Sequence, residues 1–194
     1  TNNHEPIHNM NVIAEGYFES AILLAECCLK DNSDKKADGI IFPMLFSINH
    51  GIELYEKSIC WSLNILLGNN SSFKENHDTK IYAKLLGEKI KKFGFGIGHE
   101  ESEFNNMIMN LESYLDELSK TIMGDDINKA YYNIDFSRYP MNNHKEYHFY
   151  LKTYENVVVD LENFVLVFKD IKDCLSCLSG YYYGLVFESW QTND

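Results

Sequence analysis

Arginine is nearly missing from this sequence. The 17 basic residues comprise 16 lysines and a single arginine, Arg138, so any role that requires a guanidinium group falls to that position. Basic side chains are also outnumbered, because 29 acidic residues leave a net charge of −12. This balance argues against a broad electrostatic surface for nucleic acid, although it is compatible with a small local basic site.

Long apolar runs and targeting patterns are missing as well. No apolar stretch reaches the roughly 18 residues that span a bilayer. The first residues, TNNHEPIHNM, lack the charged-then-apolar pattern of a signal peptide. We therefore expect a soluble, cytoplasmic protein without membrane contacts. A hydrophobic content of 45% over 194 residues suits one globular domain, residues 1–194.

Paired cysteines are not indicated either. The chain has five cysteines, an odd number that favours reduced thiols over a disulfide framework. Cys174 and Cys177 form a C-x-x-C pair, but they lie in an apolar helical pattern without the turn residues of a zinc site. We therefore expect no metal and no cofactor.

Proline is scarce, with three residues in the chain, and the stretches between prolines have the 3.6-residue periodicity of amphipathic helices. Pro43 fits the first turn of the second helix, and Asn76 or Asp78 is placed to cap the third. The predicted helices cover about residues 9–30, 40–67, a stretch from NHDTK to the start of FGFGIG, 99–123, and 153–190 with a break near Gly180.

The segment 131–151 has a different pattern. YYNIDFSRYP alternates Tyr132, Ile134 and Phe136 with polar residues, and the aromatic stretch EYHFYL follows. Residues 140–143 have the composition of a turn, which predicts a β-hairpin. The expected fold is all-α, an antiparallel bundle of about five helices with a small β-hairpin before the last long helix.

A polar group lies within the second helix, in the stretch NHGIELYEKS. His50, Glu53 and Lys57 are spaced by three and four residues, which makes them neighbours on one side of a helix. Two interpretations are open at this point. The group either faces a cleft or a partner, or forms a solvated face with a Glu–Lys pair.

The stretch FPMLFSINHGIELYEKSI, followed by NHDTKIYAKLL, resembles the HEPN superfamily (higher eukaryote and prokaryote nucleotide-binding). Its members are helical bundles with a central H-x-x-E-L-x-x-K helix, a His-Asp pair that opens the next helix and, in some branches, an Arg-Tyr-Pro segment before the last long helix. The resemblance covers about residues 9–168. The matching positions are His50, Glu53 and Lys57, then His77 and Asp78, then Arg138, Tyr139 and Pro140.

The resemblance also implies an activity, because many members are metal-independent endoribonucleases of toxin or phage-defence systems. Those enzymes carry an arginine, usually a polar residue after it, and a histidine four to six positions on. Arg138 and His144 are separated by the five residues YPMNN, so the spacing fits. Tyr139 replaces the polar residue, and Pro140 disfavours a helix at this point.

Arg138 and His144 have the chemistry that such a reaction needs. A guanidinium group binds a scissile phosphate with two hydrogen bonds and stabilises charge that develops on it. A histidine transfers a proton near neutral pH. In the resembling enzymes two such pairs face each other across a dimer cleft. The competing interpretation is structural, with Arg138 at a hairpin tip reaching back to a carboxylate, Glu53 being the first candidate.

The low basic content and the irregular Arg-to-His motif favour a non-catalytic bundle that binds a nucleotide, a nucleic acid or a protein partner. The resemblance implies a place in a prokaryotic defence or toxin system. The alternative is the endoribonuclease with Arg138 and His144 as its catalytic pair. The resemblance implies a homodimer or a larger protein complex, with RNA or a nucleotide as ligand. The residues expected in a polar cleft or binding site are His50, Glu53, Lys57, His77 and Tyr139.

Overall fold

The computed structural model describes residues 6–69, 72–73, 77–95, 101–123, 134–139, 141, 145, 147 and 158–191. Within these ranges the chain forms five α-helices and one short 3-10 helix, and the predicted helical bundle is confirmed. The elements are α1 (Pro6–Lys30), α2 (Lys36–Leu66), α3 (Thr79–Phe93), α4 (Glu101–Met123), the 3-10 helix (Ile134–Ser137) and α5 (Leu161–Gln191).

The central element is α2, which packs against α1, α3, α5 and the 3-10 helix. It runs antiparallel to α1, since Phe18 lies against Gly51 while Tyr55 donates a hydrogen bond to Glu15 over 2.5 Å. A Cβ atom at Gly51 would lie 2.7 Å from the Phe18 ring, so only glycine permits this close approach of the two helices.

The hydrophobic core takes side chains from all five α-helices. α5 packs antiparallel on α1, where Lys169 and Lys172 form ion pairs with Glu26 and Glu19 at the edge of the interface. In the part of the chain that the structure describes, no helix is both long and apolar enough to cross a membrane. Fully buried core side chains include Phe18, Ile48, Ile59, Leu86, Leu111 and Tyr182.

The start of α2 lies earlier than periodicity predicts. The Asn32 side chain accepts a hydrogen bond from the Ala37 N–H, and the Asp34 carboxylate accepts one from the Lys36 N–H. These polar residues begin the helix at Lys36, so Pro43 lies inside α2 and not in its first turn. Pro43 is exposed, which lets water hydrate the carbonyl that the proline leaves without a donor.

Aspartate side chains cap α3 and α5. Of the two candidates for α3, Asp78 is the cap, and its side chain accepts the Ile81 N–H over 3.0 Å. Asp160 accepts the Asn163 N–H in the same way, so α5 begins at Leu161 and not near residue 153. α5 is continuous through Gly180, where the predicted break does not occur. Residues 153–157 lie outside the described residues.

The predicted β-hairpin is not seen in the described part of residues 131–151. Ile134–Ser137 form a 3-10 helix in place of its first strand. Phe136 and Ser137 are both buried, whereas an extended strand would direct consecutive side chains to opposite faces. The pairing described beyond this point is one isolated antiparallel bridge between Met141 and Tyr147.

Candidate functional site

A buried carboxylate, Glu53, is the centre of a polar cluster on α2. Its Oε1 atom lies 2.6 Å from Lys57 Nζ and 2.9 Å from His77 Nδ1, and its Oε2 atom lies 3.9 Å from His50 Nδ1. We call these four residues the Glu53 cluster. His50, Glu53 and Lys57 meet because they are three and four residues apart on one helix. His77 joins them from the residues just before α3.

Burial decides between the two interpretations of the Glu–Lys pair. Glu53 is only 3% exposed and Lys57 only 6%, so the pair is not a solvated face. The Lys57 ammonium group also lies over two aromatic rings, 5.1 Å from the centroid of Phe73 and 5.6 Å from that of Tyr82. The carboxylate and the rings together replace the water that this cation loses on burial.

The cluster keeps Glu53 ionised. Burial alone would raise the pKa of this carboxyl group, but the side chains of His50, Lys57 and His77 outweigh burial and lower the pKa to about 2. An ionised carboxylate can only accept hydrogen bonds, so the Nδ1 atom of His77 donates to it. The His77 side chain is 79% exposed, which leaves most of the oriented imidazole open to solvent.

A second group of side chains adjoins this cluster through His50. The His50 ring stacks on Phe46 with a centroid distance of 5.7 Å and an interplanar angle of 8°. Tyr17 of α1 meets the His50 ring edge-on at 4.7 Å. The Arg138 guanidinium lies 5.7 Å from the Phe46 centroid and 5.2 Å from that of Tyr139. We call Tyr17, Phe46, His50, Arg138 and Tyr139 the cation–aromatic face.

The 3-10 helix places Arg138 on this face. Phe136 and Ser137 are buried where the 3-10 helix packs on α2, and Arg138 follows at once, exposed. The described contacts of Arg138 are with Phe46 and Tyr139, while those of Glu53 are with the Glu53 cluster. The expected pairing of Arg138 with Glu53 is therefore not observed among these contacts, because Lys57 and the two histidines take up that carboxylate.

The expected site residues fall into three groups. The Glu53 cluster contains four of them, His50, Glu53, Lys57 and His77. Tyr139 lies beside Arg138 on the cation–aromatic face, and Tyr139 is 52% exposed. Arg138 adjoins the cluster through Phe46 and His50. His144, the expected partner of Arg138, lies outside the described residues.

Sequence reasoning did not single out Glu56, which is 0% exposed. Neither carboxyl oxygen of Glu56 has a hydrogen-bond partner within the described residues, and neither does the buried Thr79 hydroxyl at the start of α3. Burial, then the negative charges of Glu53 and Asp78, raise the pKa of Glu56 well above its ordinary value. The residue gave no periodic signal, because α2 is buried on nearly every side here.

The chemistry available at the site is that of an oriented imidazole and a stacked guanidinium group. In the described ranges no set of three or more His, Cys, Asp or Glu side chains is arranged to hold a metal ion, and the five cysteines are free thiols. Comparison of the chain with protein-family models, with curated proteins and with solved structures finds no match.

Proposed function

We propose that this protein is a HEPN-like bundle that binds single-stranded RNA at the cation–aromatic face without cleaving it, as part of a prokaryotic defence or toxin system. The observation that carries the proposal is the position of Arg138. The only guanidinium group of the chain lies over Phe46, the same ring on which His50 stacks.

The face has the two properties that single strands require. Exposed aromatic rings stack with bases and contribute about 1–3 kcal/mol per base. A guanidinium group offers two parallel hydrogen bonds to a phosphate, which a lysine cannot do. Tyr139 and Arg138 are exposed, and Phe46 and His50 are half-buried, so a base and its phosphate reach the face together. The net charge of −12 limits such binding to one local site.

Binding without cleavage is favoured by how the other polar groups are used. Lys57 is buried between Glu53 and two aromatic rings, so its cation is not available to stabilise a reacting phosphate. Arg138 is followed by Pro140, which disfavours the helical arrangement of the catalytic motif in the enzymes that the sequence resembles.

The test is fluorescence anisotropy with a labelled single-stranded RNA at two salt concentrations. We expect Arg138→Ala to weaken binding at least tenfold and Arg138→Lys to recover only part of the loss. Lys92→Ala is the matched control, since it removes one exposed positive charge from α3 and should change affinity little. All three variants should keep the wild-type melting temperature. Equal affinity of Arg138→Ala and wild type would contradict the proposal.

The second candidate is a metal-independent endoribonuclease that uses Arg138 and His144 across a homodimer cleft. The observation in its favour is the His77–Glu53 pair, in which a buried carboxylate orients an exposed imidazole, as a general base requires. RNA cleavage in the presence of EDTA, lost in Arg138→Ala and in His144→Ala or His77→Ala, would establish this candidate. Sedimentation at micromolar concentration tests the homodimer or larger complex.

A further inference from the structure

We infer that Glu56 is a pH-dependent switch between α2 and α3, which we call the latch. When Glu56 is a neutral acid, the start of α3 packs on α2. When Glu56 ionises, the start of α3 moves away from α2, and His77 separates from Glu53. The inference does not depend on what the cation–aromatic face binds. Both Glu56 oxygens are buried without a hydrogen-bond partner among the residues that the structure describes.

On α2, Glu56 is flanked by the two residues that contact the start of α3, because Glu53 accepts a hydrogen bond from His77 and Lys57 lies over the Tyr82 ring. Glu56 is 0% exposed, and both of its oxygens lack a hydrogen-bond partner in the part of the chain described. Thr79, the first residue of α3, is equally buried and its hydroxyl is equally unpartnered. An ionised carboxylate in this position would carry a full charge without a hydrogen bond, which is far more costly than burying the neutral acid.

The charged groups around Glu56 also oppose its ionisation. On its own helix, Glu53 repels a negative charge and Lys57 attracts it, but Lys57 is already paired with Glu53. From α3, Asp78 adds a second negative charge. The negative charge of Glu56 would in turn act on Cys60 of α2 and Tyr82 of α3, whose pKa values burial raises to about 12.

The other neighbours of α2 do not offset this repulsion. On the side of α1 and α5, Glu15 and Lys172 form an ion pair, and Glu15 also accepts the Tyr55 hydroxyl. On the side of the 3-10 helix, Arg138 lies over Phe46, more than two turns of α2 before Glu56. Ionisation of Glu56 is therefore relieved most directly by moving the start of α3 away, which hydrates the carboxylate and distances Asp78.

The sign of the pH dependence follows from linkage. The pKa of Glu56 is raised in the closed state and returns toward its ordinary value when the junction opens, so the open state binds fewer protons. The closed state is therefore favoured at low pH and loses this advantage as pH rises above the ordinary value. One proton released per opening makes the opening constant grow about tenfold per pH unit while closed Glu56 stays protonated.

Hydrogen–deuterium exchange of the full chain tests the latch. Exchange of the α3 amides from Ile81 to Leu86 is measured at pH 5.5, 6.5 and 7.5, corrected for intrinsic exchange rates, and compared with the α5 amides from Ile171 to Leu178. We expect the α3 opening constant to rise about tenfold per pH unit relative to α5 in the wild type. Glu56→Gln, which cannot ionise, should remove this slope.

The matched control is Glu88→Gln, which removes an exposed carboxylate from α3 and should leave the slope unchanged. If Glu56→Gln does not fold, Glu56→Met keeps a similar volume without a titratable group and takes its place. A wild-type α3 opening constant that does not change with pH relative to α5 would overturn the inference. A slope that persists in the Glu56 variant would overturn it as well, because another group would then carry the proton.

Discussion

Glu53 and Glu56 lie three residues apart on α2, both buried, yet their pKa values are shifted in opposite directions. Glu53 is surrounded by Lys57, His50 and His77, which lower its pKa to about 2 in spite of burial. Among the described residues no side chain forms a hydrogen bond with Glu56, and burial raises its pKa well above the ordinary value. The opposite pKa shifts of the two carboxyl groups therefore come from their hydrogen-bonding partners and not from the extent of their burial.

Glu53→Gln should destabilise the protein by about 3 kcal/mol, because it leaves the buried Lys57 ammonium group without its counter-charge. Urea denaturation at pH 7 measures the loss. Glu88→Gln, an exposed change on α3, should stay within about 0.5 kcal/mol of wild type. A Glu53→Gln variant as stable as the wild type would show that the pair contributes no net stability.

Acid should remove the contribution of Glu53. Its pKa is about 2 in the folded protein and is ordinarily 4.5, so the unfolded chain takes up the proton first. The stabilisation is complete above pH 4.5 and declines as pH falls toward 2. Denaturation curves of wild type and Glu53→Gln should therefore converge over this range. A difference that stays constant between pH 6 and pH 2.5 would contradict this assignment.

Gly51→Ala should cost about 1–3 kcal/mol, because its Cβ atom would lie 2.7 Å from the Phe18 ring and would force α1 and α2 apart. Gly16→Ala on α1 is the matched control, since no atom lies within 4 Å of its Cβ position. There the usual gain of about 0.5–1 kcal/mol for alanine over glycine in a helix should appear. Thermal melts of the two variants should therefore move in opposite directions.

The cysteines should separate into two reactivity classes. Cys27 and Cys177 are exposed, whereas Cys28, Cys60 and Cys174 are buried. Burial raises the pKa of Cys60 and of Cys174 to about 12, which suppresses the reactive thiolate. A thiol reagent at pH 8 should modify two groups quickly and the other three only after denaturant is added. Rapid reaction of all five would contradict the packing of α1, α2 and α5, which bury Cys28, Cys60 and Cys174.

Periodicity predicts the helices well and their ends less well. The apolar stripes locate all five α-helices, but α2 begins at Lys36, where the Asn32 and Asp34 side chains accept backbone N–H groups of the first turn, a local effect that apolar spacing does not report. The hairpin prediction is wrong for Ile134–Ser137 because alternation over so few residues does not distinguish a strand from a 3-10 turn packed on α2.

The site is predictable only where its residues share a helix. The spacing of His50, Glu53 and Lys57 indicates their contact, whereas His77 comes from another element and enters through the family resemblance. Phe46 belongs to an apolar stretch and gives no sign that its ring meets Arg138. The burial of Glu56 could not be predicted, because a periodic pattern distinguishes a buried face from a solvated one, and α2 has almost no solvated face.

Because α2 is almost completely enclosed by its neighbours, it should tolerate few substitutions. From Gly51 to Asn64 every residue is buried or partly buried, and none is exposed. In a library of random single substitutions selected for folded protein, this stretch should be depleted at nearly every position, without the every-third-or-fourth rhythm of an amphipathic helix. α1, which alternates buried and exposed positions along its length, should show that rhythm clearly.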